Sequence, residues 1–243
     1  MRRMLVALLL AIALFPPVQA APLVADISTY RIAIDAGFTG MRLFIFGARN
    51  EPGEVAVVVR GPERTYTVRR KERVAGMWVN GAQMTFKSIP DFYTVAANRD
   101  MAFPATDALF RRLRIGEESL FAPPQNPKLA ALFPEFSAAF LKYQQSRRLY
   151  GEKLPLSFMG ETLFKTVVPF PDTIAPGDYT VEIYLISDGE LTGMQVLPVK
   201  VEKSGLDALV AGMAHHYPAL YGMTAVALAL LAGWAATRLL EKV

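Results

Sequence analysis

The chain has 243 residues, a formal charge of +4 and a pI near 9.3, values that would suit a nucleic-acid partner. Four of the 26 basic and one of the 22 acidic side chains lie outside residues 21–217, which leaves 22 basic and 21 acidic side chains there. Because the surplus charge lies at the two ends, we expect no nucleic-acid partner. The chain has no cysteine, which excludes disulfides, thiolate nucleophiles, thiolate metal sites and a lipoprotein anchor.

The first 20 residues have the pattern of an export signal. Two arginines form a basic start, residues 4–15 form an apolar run, and residues 16–20 close with small side chains. The alternative is a first transmembrane helix, but this run is shorter than the roughly 20 residues that cross a bilayer. We predict cleavage after Ala20, so that the mature chain begins at Ala21.

Residues 217–237 form a second apolar stretch, and it contains no charged side chain. At about 1.5 Å per residue its helix approaches the ~30 Å thickness of the hydrocarbon core, so we predict one C-terminal transmembrane helix. Arg238 and Lys242 follow it, and the positive-inside rule therefore places residues 238–243 in the cytoplasm and the preceding domain outside. Residues 204–216 predict a short amphipathic helix, which we expect on the membrane surface rather than against the domain.

Between these ends, residues 21–203 predict a mainly β domain. Short apolar or alternating runs between glycine and proline turns predict strands at 31–34, 41–46, 55–59, 65–69, 163–170, 179–186 and 194–201. Residues of about 104–151 instead show helical spacing and predict a helical insertion, which Pro134 should kink or restart. About seven strands with this insertion predict an immunoglobulin-like β-sandwich, and the turn at 176–179 resembles a tyrosine corner.

The residues that common catalytic motifs require are few. The two histidines, His215 and His216, are adjacent, so on a helix they point to different sides and make a poor shared metal site. No Gly-x-Ser-x-Gly, P-loop, Gly-x-Gly-x-x-Gly or His-Glu-x-x-His motif occurs. The pair Glu117 and Glu118 could serve glycoside hydrolysis, but a solvated loop explains it more simply. We predict no enzyme activity, no metal and no cofactor.

The densest polar feature lies between residues 69 and 99. Such a cluster could bind an anion or a protein partner, although a solvated edge strand with charged side chains alternating between two faces would explain much of it. The candidate binding residues are Arg69, Arg70, Lys71, Arg73, Trp78, Asn80, Asp91, Tyr93 and Arg99.

Small residues recur along one face of the predicted transmembrane helix at spacings of three and four. Such a stripe lets a second helix approach closely, either from a transporter or from another copy of this chain. The other explanation is ordinary membrane composition, in which alanine is common. The candidate interface residues are Gly222, Ala225, Ala229, Gly233 and Ala236.

Several segments together resemble the alphaproteobacterial transmembrane protein family Alph_Pro_TM. They are Gly61-Pro62, the run VRRKERVAGMWVN at 68–80, Pro90-Asp91-Phe92-Tyr93, Tyr221-Gly222 and Gly233-Trp234. The resemblance covers nearly the whole mature chain, and the family has no assigned activity. It implies a bacterial inner-membrane protein, with an association with permeases of the sulfite-exporter type as a further expectation, and it carries over no catalytic residue.

Two functional hypotheses remain. The leading one is a non-enzymatic accessory or binding module that a single helix holds at the membrane with its large domain in the periplasm. The alternative is a periplasmic enzyme or anion-binding protein that uses the cluster at 69–99. A deep pocket lined by Arg70, Asp91, Tyr93 and Arg99 would favour the alternative, and a flat or filled surface would favour the binding module.

Overall fold

The structure, a computed structural model, describes residues 21–74, 76–98, 101–104, 107–205, 213–215 and 217–240. The fold is mainly β, with 47% strand and 25% helix, which confirms the fold class at this level. The predictions made for residues 1–20, for Arg99, for His216, for most of the amphipathic helix at 204–216 and for residues 241–243 fall outside the described residues.

The strands and helices are numbered in chain order. The strands are β1 Leu23–Ile27, β2 Arg31–Ile34, β3 Met41–Arg49, β4 Glu54–Arg60, β5 Glu63–Val74, β6 Met77–Pro90, β7 Tyr93–Ala97, β8 Leu154–Pro155, β9 Ser157–Met159, β10 Leu163–Phe170, β11 Gly177–Ser187 and β12 Glu190–Lys203. The helices are α1 Ala108–Leu113, a 3₁₀ helix Glu117–Leu120, α2 Pro127–Ser146 and α3 Pro218–Leu240.

Ten of these strands form two sheets that pack face to face. The four-stranded sheet has the order β1-β3-β10-β9, and the six-stranded sheet has the order β2-β12-β11-β4-β7-β8. Their pairs are antiparallel except β2 with β12 and β7 with β8. Phe170 of the four-stranded sheet lies with its ring centroid 5.7 Å from that of Tyr179 in the six-stranded sheet. Alternate residues such as Leu43, Ile45 and Ile183 point inward and are fully buried, as strand periodicity requires.

The helical insertion covers the outer face of the central strands of the six-stranded sheet. All five residues from Val55 to Val59 in β4 are buried, whereas a strand with one solvated face would alternate. Ile115, between α1 and the 3₁₀ helix, is also fully buried. The Tyr93 hydroxyl of β7 accepts a hydrogen bond from the Gly116 amide at 2.8 Å. The domain is therefore layered as the four-stranded sheet, the six-stranded sheet and the helical insertion.

Arg60, at the end of β4, ties the helical insertion to the sheet. Its Nε donates to the Glu182 carboxylate of β11 at 2.9 Å, and its Nη2 donates to the carbonyls of Leu113 and Arg114 at 2.8 and 3.1 Å. The guanidinium also lies 5.3 Å from the centroid of the Tyr93 ring. The side chains of Arg60 and Glu182 are only 12% and 17% exposed, so their ion pair joins β4 to β11 in a largely dry environment. The bonds to the two carbonyls are the ones that connect the sheet to the helical insertion.

Two turn predictions agree with the structure. Asp188 and Gly189 connect β11 to β12 with φ of 52° and 80°, the positive values that a two-residue hairpin turn of type I′ requires. The Tyr179 hydroxyl donates to the Ala175 carbonyl at 2.8 Å, which is the upstream backbone contact that defines a tyrosine corner.

Of the two outcomes predicted for Pro134, the restart is wrong, because α2 runs without interruption from Pro127 to Ser146 with Pro134 inside it, and the kink stays a prediction. Packing on both sides of the proline accounts for this, since tertiary contacts supply most helix stability in proteins. Phe133 and Phe140 both lie against the Phe86 ring of β6, at centroid distances of 6.2 and 5.9 Å.

The last helix, α3, exposes apolar side chains along its length, among them Leu220, Val226, Leu230 and Trp234. In the part of the chain that the structure describes, no helix combines the length and the apolarity that a membrane crossing demands.

Arg60→Ala tests the tie between the layers. The substitution leaves the Glu182 carboxylate largely buried without its cation, and breaking a buried pair in this way costs about 3–5 kcal/mol. We expect the urea midpoint of the detergent-solubilised full chain to fall accordingly. Arg70→Ala, which removes two solvent-exposed ion pairs, is the control and should shift the midpoint little. Equal shifts for the two variants would contradict the structural role of Arg60.

Candidate functional site

Strands β5 and β6 form a hairpin of their own, residues 63–90, which we call the arm. The arm pairs with neither of the two sheets, so the predicted edge strand at 65–69 is instead half of a separate two-stranded ribbon. Near its base the arm packs on the helical insertion through aromatic rings. Tyr66 lies 5.0 Å from Phe140, and Phe86 lies 5.1 Å from Phe121, between ring centroids.

On one face of the arm, the basic side chains pair with amides across the ribbon. Arg69 Nε donates to the Gln83 side-chain oxygen at 3.0 Å, and Lys71 Nζ donates to the Asn80 side-chain oxygen at 2.7 Å. The predicted residues Arg69, Lys71 and Asn80 are therefore brought together on this face. Their bonds run between the two strands of the arm, and the side chains remain exposed to solvent.

On the other face of the arm, Arg70 lies between two carboxylates. It donates to Glu72 at 3.0 Å and to Glu135 of α2 at 3.4 Å, so it links the arm to the helix. Arg73 donates from Nε to the Gly76 carbonyl at 3.4 Å, close to the turn. Each of these two guanidinium groups is therefore bonded to a neighbouring group of the protein itself.

The tip of the arm is apolar. Trp78 and Met77 are 69% and 67% exposed, and Val74 and Val79 beside them are also exposed. We call these four residues the tip. Val74 pairs with Met77 across the turn, where Gly76 has a φ of 85° that favours glycine.

Asp91 is buried at the base of the arm, and it does not face the basic cluster. The Tyr66 hydroxyl donates to its carboxylate, and Arg64 forms an ion pair with the same carboxylate. Its backbone carbonyl accepts a hydrogen bond from the buried Gln144 of α2 at 3.5 Å. Asp91 is therefore part of the structure that fixes the arm to the domain.

Tyr93 is likewise occupied by structural contacts. Its hydroxyl donates to the Arg114 carbonyl at 3.3 Å and accepts from the Gly116 amide. Burial raises the pKa of Tyr93 to about 12, although the charge of Arg60 lowers it. Asp91 and Tyr93 are thus buried, whereas Arg70 is exposed, so these three predicted residues do not line one deep pocket.

A surface cleft of about 460 Å³ lies beside Tyr93 and includes Glu117 and Gln145. The Gln145 amide donates to the Glu117 carboxylate at 3.0 Å. Burial raises the pKa of Glu117, and the bond from Gln145 lowers it. Among the described residues, no three histidine or acidic side chains are placed to hold a metal ion.

The outer face of the four-stranded sheet carries a group of exposed apolar side chains that the sequence analysis did not single out. On β3, Phe44 and Phe46 are 51% and 47% exposed, and three neighbouring strands add large apolar side chains to the same face. Two grooves of about 380 and 570 Å³ cross this face and share Phe46 and Met159. We call the exposed set the apolar face, and it consists of Val24, Phe44, Phe46, Met159 and Leu163.

Strand register explains why these side chains meet on one face. Val24 is opposite Ala48, and Leu163 is opposite both Ala48 and Met159, while the alternate residues point inward to the core. Two exposed charged residues, Asp26 and Lys165, lie on either side of Phe46 on the same face. A signal for this face was present in the sequence, because residues 43–46 are apolar at every position. A strand with only one buried face would alternate apolar and polar residues.

The predicted small-residue stripe lies on α3. Gly222, Ala225, Ala229, Gly233 and Ala236 are all in this helix, and a Cβ added at Gly222 or Gly233 would meet no atom within 4 Å. The structure describes this one chain, so the role of the stripe stays a prediction.

One family match covers almost the whole chain. The family described as "Putative transmembrane protein" (Alph_Pro_TM) matches residues 22–242. This chain belongs to the Alph_Pro_TM family. No curated protein matches the Alph_Pro_TM chain.

Among solved structures, the Alph_Pro_TM chain is similar to one described as "Structural basis of T cell specificity and activation by the bacterial superantigen toxic shock syndrome toxin-1". The identity is 6%, the TM-score is 0.27, and the match covers 75% of this chain and 99% of the other. A likeness this weak carries no argument about the fold or the function.

The basic side chains of the arm should be dispensable for folding. We predict that changing Arg69, Arg70, Lys71 and Arg73 together to Gln leaves the unfolding transition of the full chain nearly unchanged, because exposed ion pairs contribute little. Any binding that depends on the arm should weaken. The measurement is thermal unfolding followed by circular dichroism, with Arg60→Gln as a destabilised reference. A quadruple variant that fails to fold would show that these side chains are structural.

Proposed function

We propose that this Alph_Pro_TM protein is a membrane-anchored periplasmic accessory module that binds a protein partner through its apolar face. The observation that carries the proposal is the uncovered apolar outer face of the four-stranded sheet, with Phe44 and Phe46 near its centre. Exposed apolar patches with polar residues around them mark interaction sites, and here Asp26 and Lys165 lie beside Phe46. The central strands of the other sheet have their outer side covered by the helical insertion, which leaves this face available for binding.

We infer further that the domain is an immunoglobulin-like sandwich. Such folds place strands A, B, E and D in one sheet and C, F and G in the other, with an added C′ in variable types. The order β1-β3-β10-β9 corresponds to A-B-E-D, and β12-β11-β4-β7 corresponds to G-F-C-C′. The Tyr179 bond to Ala175 at the start of β11 supports this assignment, since the tyrosine corner belongs to strand F. The arm and the helical insertion are then additions on either side of C′.

The proposed topology rests on the two ends of the sequence. Residues 1–20 act as a cleaved export signal, residues 217–237 anchor the protein in the inner membrane, and residues 238–243 lie in the cytoplasm. The family description supports the membrane assignment. The partner we propose is an inner-membrane transporter of the sulfite-exporter type, which the stripe from Gly222 to Ala236 could contact within the bilayer. A homodimer through the same stripe is the alternative.

An enzyme or anion-binding protein has less support from the geometry. Arg70 is exposed and paired with Glu72 and Glu135, while Asp91 and Tyr93 are buried in structural contacts. The arrangement therefore matches the filled surface that we associate with a binding module.

Reporter fusions test the orientation. Alkaline phosphatase is active only outside the cytoplasm, so we expect an active fusion after Lys203 and an inactive fusion after Val243. Mass spectrometry of the mature protein should find Ala21 at its N-terminus. An active fusion at Val243 with an inactive one at Lys203 would overturn the orientation, and retention of Met1 would indicate an uncleaved anchor.

Co-purification tests the apolar face. We expect the double substitution Phe44→Ser and Phe46→Ser to remove a partner that the wild-type full chain retains in native membranes at matched expression. The control is Met194→Ser with Val196→Ser, two similarly exposed apolar residues on β12 of the other sheet. Loss in the first variant alone supports the proposal. Equal retention in both variants, or equal loss, would contradict it.

A further inference from the structure

We propose that the tip of the arm docks onto a bilayer surface that contains anionic lipid. The inference rests on the proposed membrane anchoring of the chain, and it assigns the tip a role separate from that of the apolar face. The tip residues Val74, Met77, Trp78 and Val79 would enter the interfacial region, and the basic side chains behind them would contact lipid headgroups.

The composition of the tip fits a lipid interface. Trp78 and Met77 are the two most exposed members of the tip, at 69% and 67%. A tryptophan combines an apolar ring with one polar N–H group, and this residue is enriched where membranes meet water. Hairpin turns in water ordinarily carry polar residues, so a tip with two valines, a methionine and a tryptophan favours contact with another apolar surface.

The charges behind the tip complement anionic headgroups. Residues 69–73 contain four basic side chains and one acidic side chain. They lie on both faces of the ribbon, since Arg69 and Lys71 bond to β6 amides while Arg70 bonds to Glu72 and α2. Apolar insertion combined with nearby cations is the arrangement by which peripheral elements bind anionic membranes.

The arm also leaves the domain at the end from which the chain continues to α3. Gly61 and Pro62 connect β4 to the arm, and a Cβ at Gly177 would lie 2.8 Å from the Pro62 ring. Gly177 in turn pairs with Val201, two residues before β12 ends at Lys203. The base of the arm and the exit of the chain are therefore neighbours at one end of the two sheets.

The dimensions allow the tip to reach the bilayer. The 12 residues of β5 span about 40 Å at roughly 3.3 Å per residue. Residues 206–217, which join the domain to α3, reach about 40 Å at most when fully extended. Because the arm is as long as residues 206–217 at full extension, its tip can reach the bilayer in which α3 is proposed to be anchored.

A lipid surface fits these observations better than a shaped protein pocket. The cations surround the ribbon and are already bonded to neighbouring side chains, so they provide a diffuse positive field rather than a directed contact. A field of this kind suits a surface of many equivalent headgroups. A protein that binds the tip is the competing occupant, and the experiment below separates the two.

The two tryptophans of the chain allow one experiment to read the tip and the anchor separately, because Trp78 is in the tip and Trp234 is in α3. The full chain carrying Trp234→Phe, and separately Trp78→Phe, is reconstituted into vesicles of phosphatidylcholine with phosphatidylglycerol. Brominated acyl chains then quench any indole that lies within the bilayer. We expect Trp78 emission to shift to shorter wavelength and to lose intensity, and we expect less quenching at high salt or without phosphatidylglycerol.

The control places a tryptophan by Phe46→Trp in a chain that lacks both native tryptophans, since Phe46 is also exposed and apolar but belongs to the apolar face. We expect no quenching there. Quenching of Trp234 without Trp78 would overturn the tip inference and leave the anchor intact, with a protein as the remaining occupant of the tip. Quenching of Trp78 without Trp234 would support the tip and contradict the proposed anchor. Quenching of neither would overturn both, and equal quenching of Trp78 with and without phosphatidylglycerol would overturn the role of the charges.

Discussion

The burial of sheet faces is the constraint on which the rest of this structure depends. Two stacked sheets have four faces, of which the two inner ones bury each other through residues such as Phe170 and Tyr179. The helical insertion covers the central strands of the six-stranded sheet, and Arg60 fixes it there by donating to two of its backbone carbonyls. The outer face of the four-stranded sheet has no such cover among the described residues, and it carries five large exposed apolar side chains. The proposed binding role follows from this asymmetry.

The two insertions have different consequences because they differ in what they bury. The helical insertion turns its aromatic side chains inward onto the base of the arm, so that segment stabilises the domain. The far end of the arm covers no other part of the sheets, since β5 and β6 pair only with each other and the tip residues are exposed. Its apolar tip and its flanking cations lie in solvent, where an apolar side chain gains free energy only by binding another surface. The same domain thus presents two separate exposed apolar surfaces of different chemistry.

Much of the fold could be predicted from the sequence because strand and turn signals are local. The run at 163–170 coincides with β10, and Asp188-Gly189 forms its turn between β11 and β12. The candidate site was harder to predict, because the positions of Asp91 and Tyr93 in the sequence do not reveal that tertiary contacts bury both side chains. The same limit applies to Pro134. Local rules predict that a proline interrupts a helix, but they do not show that Phe86 of the arm packs against Phe133 and Phe140 of this helix. The apolar face was detectable in the unbroken apolar run at 43–46, but only the register of four strands shows that its members meet.

The central claim is that a partner covers the apolar face in the cell. Because the chain has no native cysteine, labelling of single introduced cysteines measures this directly. Single cysteines are introduced by Phe46→Cys on the apolar face and by Met194→Cys on the other sheet, two positions of similar exposure. The rate of maleimide labelling is then compared between native membranes and the purified protein. The account predicts that position 46 reacts more slowly in membranes than after purification, while position 194 reacts at the same rate in both. Equal labelling of position 46 in membranes and in purified protein would contradict it.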